Sequence, residues 1–223
     1  LLMSCGAVRY MTKCEKFLAL GEYYDAANQF KQAYTRTPAK ERDTRGKRAL
    51  KMAQCYQRIN ATPKAIAAYR NAIRYNQASK EDQLAYARQL LKNGDYRQAE
   101  KVFLMLKDSM PGNQLVANGL KSAQMAPEWK KQGSRYIVKR MDVFNSRRHD
   151  YSPVLFGDDY DQLYFTSTRN EALGDELSGI TGTKAGDIFL SEKDDRGKWS
   201  KPEAIGTGLN TDYDEGVCCF TPD

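Results

Sequence analysis

The sequence has one histidine, His149, among 223 residues, and its five cysteines stand in no Cys/His metal spacing. No metal site and no cofactor is therefore expected. A run of about 18 apolar residues is also missing, so no segment is expected to cross a bilayer as a helix. Gly-x-Ser-x-Gly, the P-loop and His-Glu-x-x-His do not occur, and an enzyme is not expected. Acidic residues are scarce in the first part of the chain. Residues 1–150 hold 29 Lys/Arg against 13 Asp/Glu, a balance of +16, whereas residues 151–223 hold 6 against 15, a balance of −9. The change of sign marks a boundary near Asp150. A basic half suits nucleic acid, anionic lipid or acidic protein. It lacks the aromatic-basic spacing of an RNA-reading sheet and any zinc-finger spacing, so no nucleic-acid partner is expected.

The residues that invite chemistry have plainer readings. "GITGTKAGD" (179–187) is glycine-rich but lies between strand patterns with no helix after it, which argues against a phosphate cradle. Asp158, Asp159 and Asp161, and separately Asp194 and Asp195, read as solvated turns, since the EF-hand spacing and its glutamate are missing. His149 beside Asp150 has no assignable nucleophile and reads as a polar linker residue. Cys14 and Cys55 fall inside helical patterns, where a small buried thiol is expected. Cys218 and Cys219 are adjacent on an expected strand, with side chains on opposite faces, which suits neither a metal nor a simple disulfide.

What the sequence does contain is a repeat. "GEYYDAANQFKQAYTRTP" (21–38), "NATPKAIAAYRNAIRYNQ" (60–77) and "GDYRQAEKVFLMLKDSMP" (94–111) align. Gly21, Tyr23, Ala26, Phe30, Ala33 and Pro38 match Gly94, Tyr96, Ala99, Phe103, Leu106 and Pro111 at the same offsets. The middle unit keeps Ala65, Tyr69 and Ala72 but has Asn60 at the turn and Gln77 in place of proline. Ala65 and Ala99 are 34 residues apart, Ala26 and Ala65 39, so about five extra residues, "ERDTR" (41–45), separate the first two units. The physics is legible. A small alanine lets two antiparallel helices cross closely, an aromatic four residues later fills the space between units, and proline ends the second helix. "NQLVANGLKSAQ" (114–125) reads as a solvating last helix. The pattern resembles the tetratricopeptide (TPR) repeat and implies a TPR array over residues 6–126, about three repeats plus a capping helix.

Such arrays bind with a concave face built from the first helix of each pair. Laid on this sequence, the resemblance puts Lys47, Gln54, Arg58, Arg88 and Lys92 in that groove. One reading is an electropositive groove for an acidic or C-terminal peptide of another envelope protein; the other is a solvated basic helix face.

"MAPEWKK" (125–131) reads as the joint, with Pro127 ending the helix, Trp129 packed under it and a linker over 127–135. From "SRYIVKRMDVFNS" onward the hydrophobic period changes from about 3.6 to 2. Tyr136, Val138 and Val143 suggest an incoming strand. "DYSPVLF", the turn "GDDYD" and "QLYFTSTR" follow, with Leu163 and Phe165 on one face, then two strands in "GDIFLSEKDDRGKWSKPEAIG" (186–206) around the turn "DDRG". "GLNTDYDEGVCCFTPD" (208–223) starts the cycle again. The order Ser-Pro, acidic-glycine turn, Leu-Tyr-Phe-Thr-Ser-x-Arg, Gly-Asp-Ile-Phe, Gly-x-Trp-Ser-x-Pro and Leu-Asn-Thr resembles one blade of a WD40-like propeller of the TolB type; "GVCC", without a proline, departs from it. The resemblance implies an α + β chain in separate domains, an all-α TPR superhelix followed over 136–223 by the first blade of an all-β propeller. One blade cannot close a ring, so a longer polypeptide is expected.

"LLMSC" at the start, with Leu2, Met3, Ser4 and Cys5, resembles a bacterial lipobox in residues 1–5. It implies lipid on Cys5; an ordinary helix start with a buried cysteine is the alternative. "GAVRYM" lacks the acidic cluster of a surface-export signal, which points to the periplasmic face of the outer membrane. Together, the lipobox, repeats and propeller resemble the PorE-like family of Bacteroidetes outer-membrane lipoproteins. That resemblance implies a non-enzymatic adaptor of the type IX secretion system, with peptidoglycan bound through an OmpA-family region beyond this chain. A propeller gating a serine peptidase and a SusD-like nutrient-binding lipoprotein are the other classes considered.

Overall fold

Each of the three aligned segments opens on a residue that the chain must turn left-handed. Gly21, Asn60 and Gly94 have φ of 76°, 57° and 82°. Glycine adopts this region freely, and asparagine is the side chain that tolerates it best, so Asn60 stands where the repeat otherwise has glycine. Hydrogen bonding around the three turns is the same. Glu22 N–H donates to Phe17 O, Ala61 N–H to Tyr56 O and Asp95 N–H to Leu90 O, each at 2.9 Å. These bonds satisfy the last carbonyls of the helix that is ending.

The computed structural model describes residues 13–216 and 218–221. They fall into two units that change over between Arg135 and Tyr136, except that Gly179–Thr181 group with the first. Cys5, and with it the expected lipobox, lies outside the described residues.

In the first unit, helix α1 (described over 13–19) leads into α2 (Tyr23–Arg36), α3 (Arg42–Arg58), α4 (Thr62–Arg74), α5 (Lys80–Lys92), α6 (Tyr96–Ser109) and α7 (Gln114–Gln132). From α2 on, each packs on the next, and α5 also touches α7. The repeat positions form the core. Ala26, Ala65 and Ala99 are each 0% exposed, and Phe30, Tyr69 and Phe103 are buried beside them. Alanine lets the helix axes come close, and each aromatic removes enough apolar surface from water to contribute about 1.5–3 kcal/mol. Starts are fixed locally as well. Ser79 accepts from Asp82 N–H while Asp82 accepts from Ser79 N–H, a capping box at α5, and Asn113 accepts from the Leu115 and Val116 N–H groups at α7. Gly119 lets α7 meet α6, since a Cβ there would lie 2.2 Å from the Phe103 ring.

The joint differs from the sequence expectation. Pro127 does not end a helix, and 127–135 is not a linker throughout: α7 runs through Pro127 to Gln132, and Trp129 is 52% exposed. Proline removes one bond, to the carbonyl four residues back, but Glu128–Gln132 are free to continue, helped by the Lys131–Glu128 pair at 2.7 Å. Gly133, with φ of 69° and its N–H on Trp129 O, is the residue that stops α7. The strand expected across Tyr136, Val138 and Val143 is absent too. Ile137 and Val138 are 86% and 92% exposed, and alternation without an adjacent strand forms no ladder.

The second unit holds four strands, β1 (Asp150–Phe156), β2 (Gln162–Ser167), β3 (Asp187–Glu192) and β4 (Glu203–Ala204), in the order β1-β2-β3-β4 and antiparallel throughout. β1 is bulged between Tyr151 and Val154, where Ser152 takes φ of 53° and Pro153 has no N–H to give. Leu163, Phe165, Ala172 and Phe189 form the core, with Phe144, Trp199 and Ala204 against it. The "DDRG" turn closes on Asp194, whose Oδ1 accepts from the Arg196 and Lys198 N–H groups. β4 is short, interrupted beside Pro202. Buried Asn210 takes over as ladder partner: it accepts from Ile188 N–H and donates to Ile188 O and Ile205 O at 2.8–2.9 Å. Cys218 and Cys219, expected on a strand, are in none. The unit is thus one four-stranded antiparallel meander.

Candidate partner-binding cavity on the helical unit

In the helical unit, a cavity of about 660 Å³ is lined by Leu18 of α1, Tyr23 of α2, Gln54, Cys55, Gln57 and Arg58 of α3, Tyr69 of α4 and Asp82 of α5. Two of these positions follow from the repeat and a third from a helix cap. Tyr23 stands two residues past the Gly21 turn, Tyr69 is the aromatic of the middle unit, and Asp82 is the capping residue of α5. Gln54 and Arg58, four apart on α3, share a face.

Most polar groups in the cavity are already committed. Gln54 Nε2 donates to Asp82 Oδ1 at 3.1 Å, and Asp82 Oδ2 accepts from Ser79 N–H at 3.0 Å. Tyr69 Oη donates to Gln57 Oε1 at 2.6 Å. Burial pushes the Tyr69 phenol up to about 12, with the Asp82 and Cys55 charges adding to it, so it stays a neutral donor. Burial likewise pushes the Cys55 thiol up to about 11, and it is not a ready nucleophile. Arg58 is different. It is exposed, its guanidinium carbon stands 5.8 Å from the Tyr23 ring centroid, and no carboxylate among the described residues lies within ion-pair distance. Among the described residues the cavity therefore offers a cation without a carboxylate partner beside an aromatic ring, with hydrogen-bonded amides and a phenol around it.

Of the five groove residues taken from the sequence, Gln54 and Arg58 line this cavity, while Lys47, Arg88 and Lys92 are exposed on α3 and α5 and do not. Lys92 Nζ donates to Asn60 Oδ1 at 2.7 Å, tying the end of α5 to the α3–α4 turn. Tyr23, Gln57 and Asp82 were not anticipated. The offset of Tyr23 from Gly21 and the three-residue step from Gln54 to Gln57 on α3 were the signals that could have found two of them.

Asp150, paired in the sequence with His149, meets a different partner. Its Oδ1 lies 2.9 Å from Arg169 Nη2, and both side chains are 8% exposed. It also accepts from Ser146 N–H and Ser167 Oγ, at 2.6 Å each. Burial pushes the Asp150 carboxyl up, but Ser167, Ser146 and Arg169 outweigh it and hold the carboxyl below its ordinary value. His149 is exposed. Among the described residues no group of three or more His, Cys, Asp or Glu is placed to hold a metal, and no helix is long and apolar enough to cross a membrane.

No protein family and no curated protein matches this chain. Among solved structures it is similar to the Sgt2 TPR domain from Aspergillus fumigatus, at 16% identity and a TM-score of 0.44, over 62% of this chain and 90% of that one. The helix-pair architecture stands on the repeated turns and the buried alanines rather than on that likeness.

Proposed function

We propose that this chain is a non-enzymatic docking scaffold whose helical unit takes an acidic or C-terminal peptide segment of a partner protein. The observation that carries the reading is Arg58, a guanidinium over Tyr23 with no carboxylate partner among the described residues, on the wall of a 660 Å³ cavity whose other polar groups are committed. A peptide carboxylate supplies the missing partner, and the +16 balance of residues 1–150 draws such a segment in. By the sequence resemblance, the setting is the periplasmic face of an outer membrane, with lipid on Cys5, a role in type IX secretion, and peptidoglycan reached through an OmpA-family region outside this chain. The four-stranded meander serves there as a propeller blade and second platform.

The test is fluorescence anisotropy with a labelled acidic peptide ending in a free carboxylate, on the wild-type chain, Arg58→Glu and Lys47→Glu. Arg58→Glu is expected to weaken binding at least about tenfold and Lys47→Glu far less. Equal loss in both variants would reduce the groove to a basic surface, and no saturable binding would remove the proposal.

A further inference from the structure

The five residues that lengthen the first repeat spacing, "ERDTR", form the start of α3, and they bring two arginines to a place where a third is waiting. Arg42 holds its guanidinium carbon 5.4 Å from the Tyr75 ring centroid, and Arg74 approaches the same ring at 5.2 Å. Arg45 lies over Tyr34 at 4.4 Å. Behind them, buried Arg48 donates to Ala33 O at 2.9 Å. The seat is close-fitted: Gly46 lies against the end of α4, where a Cβ would fall 2.4 Å from Gln77 Cγ and 2.7 Å from Tyr75 Cβ.

Positive charge is in excess here among the described residues. None of the four arginines forms an ion pair among the described residues. Glu41 and Asp43 flank the cluster, Asp43 accepting from Gln77 Nε2, and the four arginines outnumber these two carboxylates. Arg45 gives Nη1 to Thr37 O at 2.5 Å, yet its Nε is buried with no partner, and an unmatched buried donor is costly. Arg42 is exposed, and Arg74, besides its contact with the Tyr75 ring, donates to Asn71 Oδ1 at 2.7 Å. Hydrogen bonding to Arg45 and then to Tyr34 lowers the Tyr75 phenol from its usual range, with the Arg45 and Arg74 charges adding less.

We propose that Arg42, Arg45 and Arg74, gathered around the phenols of Tyr34 and Tyr75, form an oxyanion site that takes a phosphoryl group. A compact dianion takes donors from several guanidinium forks at once, which a single carboxylate does less well. The Tyr34 and Tyr75 hydroxyls, hydrogen-bonded to one another, lie beside these guanidinium groups. The site shares no residue with the Arg58 cavity and is independent of it.

The experiment is calorimetric titration at matched ionic strength with inorganic phosphate, O-phosphoserine and a poly-glutamate peptide. Proteins are the full chain, Arg42→Gln/Arg74→Gln and Lys92→Gln, with helix content checked by circular dichroism. Arg45 is left intact because it caps α2. Either phosphoryl probe is expected to saturate, to bind at least about tenfold more weakly to the double variant, and to bind Lys92→Gln unchanged. Tighter phosphoserine binding assigns the group to a phosphorylated chain, tighter inorganic phosphate to the free ion. The proposal is overturned if neither probe saturates, if Lys92→Gln weakens both as much, or if poly-glutamate binds as tightly with the same dependence on Arg42 and Arg74.

Discussion

Replacing Arg169 by methionine tests the centre of the second unit. The side chain is 8% exposed, donates to Asp150 Oδ1 at 2.9 Å, Phe144 O at 2.6 Å and Ser167 Oγ at 2.9 Å, and stands 5.0 and 4.7 Å from the Phe165 and Phe189 ring centroids. Methionine keeps an unbranched apolar chain against both rings, where its sulfur recovers about 0.3–1.5 kcal/mol of aromatic contact. What it removes is the charge partner of Asp150, and stranding a buried carboxylate costs about 3–5 kcal/mol. Ser146 and Ser167 remain on Asp150, which places the expected loss near the lower end, at about 3 kcal/mol. Against a urea slope of about 1–3 kcal/mol/M, the midpoint should fall by on the order of 2 M. Trp199, in contact with Phe144 at 5.2 Å, reports this unit by fluorescence once Trp129 is changed to phenylalanine. Adding Asp150→Asn should return about 2 kcal/mol by removing the stranded charge. The carboxyl is held low in the folded chain, so its contribution is present above the unfolded value of about 3.9 and lost as pH falls through the folded one. Acid sensitivity should therefore be weaker in Arg169→Met. A loss below about 1 kcal/mol, or strict additivity in the double variant, would refute this reasoning.

Gly119→Ala places a methyl 2.2 Å from the Phe103 ring, and overpacking there should cost about 1–3 kcal/mol, outweighing the roughly 1 kcal/mol of helix propensity that alanine adds; thermal melting that shows net stabilisation would contradict the α6–α7 spacing. Cys14 and Cys55 are buried, and burial pushes both thiols up to about 11, so at pH 8 they should resist iodoacetamide until the chain unfolds, while exposed Cys219 reacts. Peptide mass spectrometry that finds Cys14 or Cys55 labelled as fast as Cys219 would place them outside the core.

The two candidate sites differ in how far the residues alone reveal them. Gln54 and Arg58 are one helical turn apart, so local spacing sufficed to put them on one face of α3. Gln57 follows Gln54 by three residues on the same helix, whereas Tyr23 and Asp82 come from the packing of separate helices, and no spacing rule joins those to α3. The arginine cluster was visible only as five surplus residues, because its meaning depends on where α4 ends.

Alternation and turn residues by themselves determined the helix pairs and three of the strands. Alanine at 26, 65 and 99 and aromatics at 30, 69 and 103 require close crossings, and Gly21, Asn60 and Gly94 require left-handed turns, whatever surrounds them. Only the tertiary structure decided where those elements stop and what they meet. Pro127 lies inside a helix because the residues beyond it still bond, and Val138 forms no strand because no partner edge lies beside it. Asp150 belongs to Arg169 rather than to adjacent His149, since antiparallel pairing carries Ser167 opposite Asp150 and Arg169 in with it. Short-range patterns set conformation, whereas burial and charge pairing depend on distances in space that chain order does not encode.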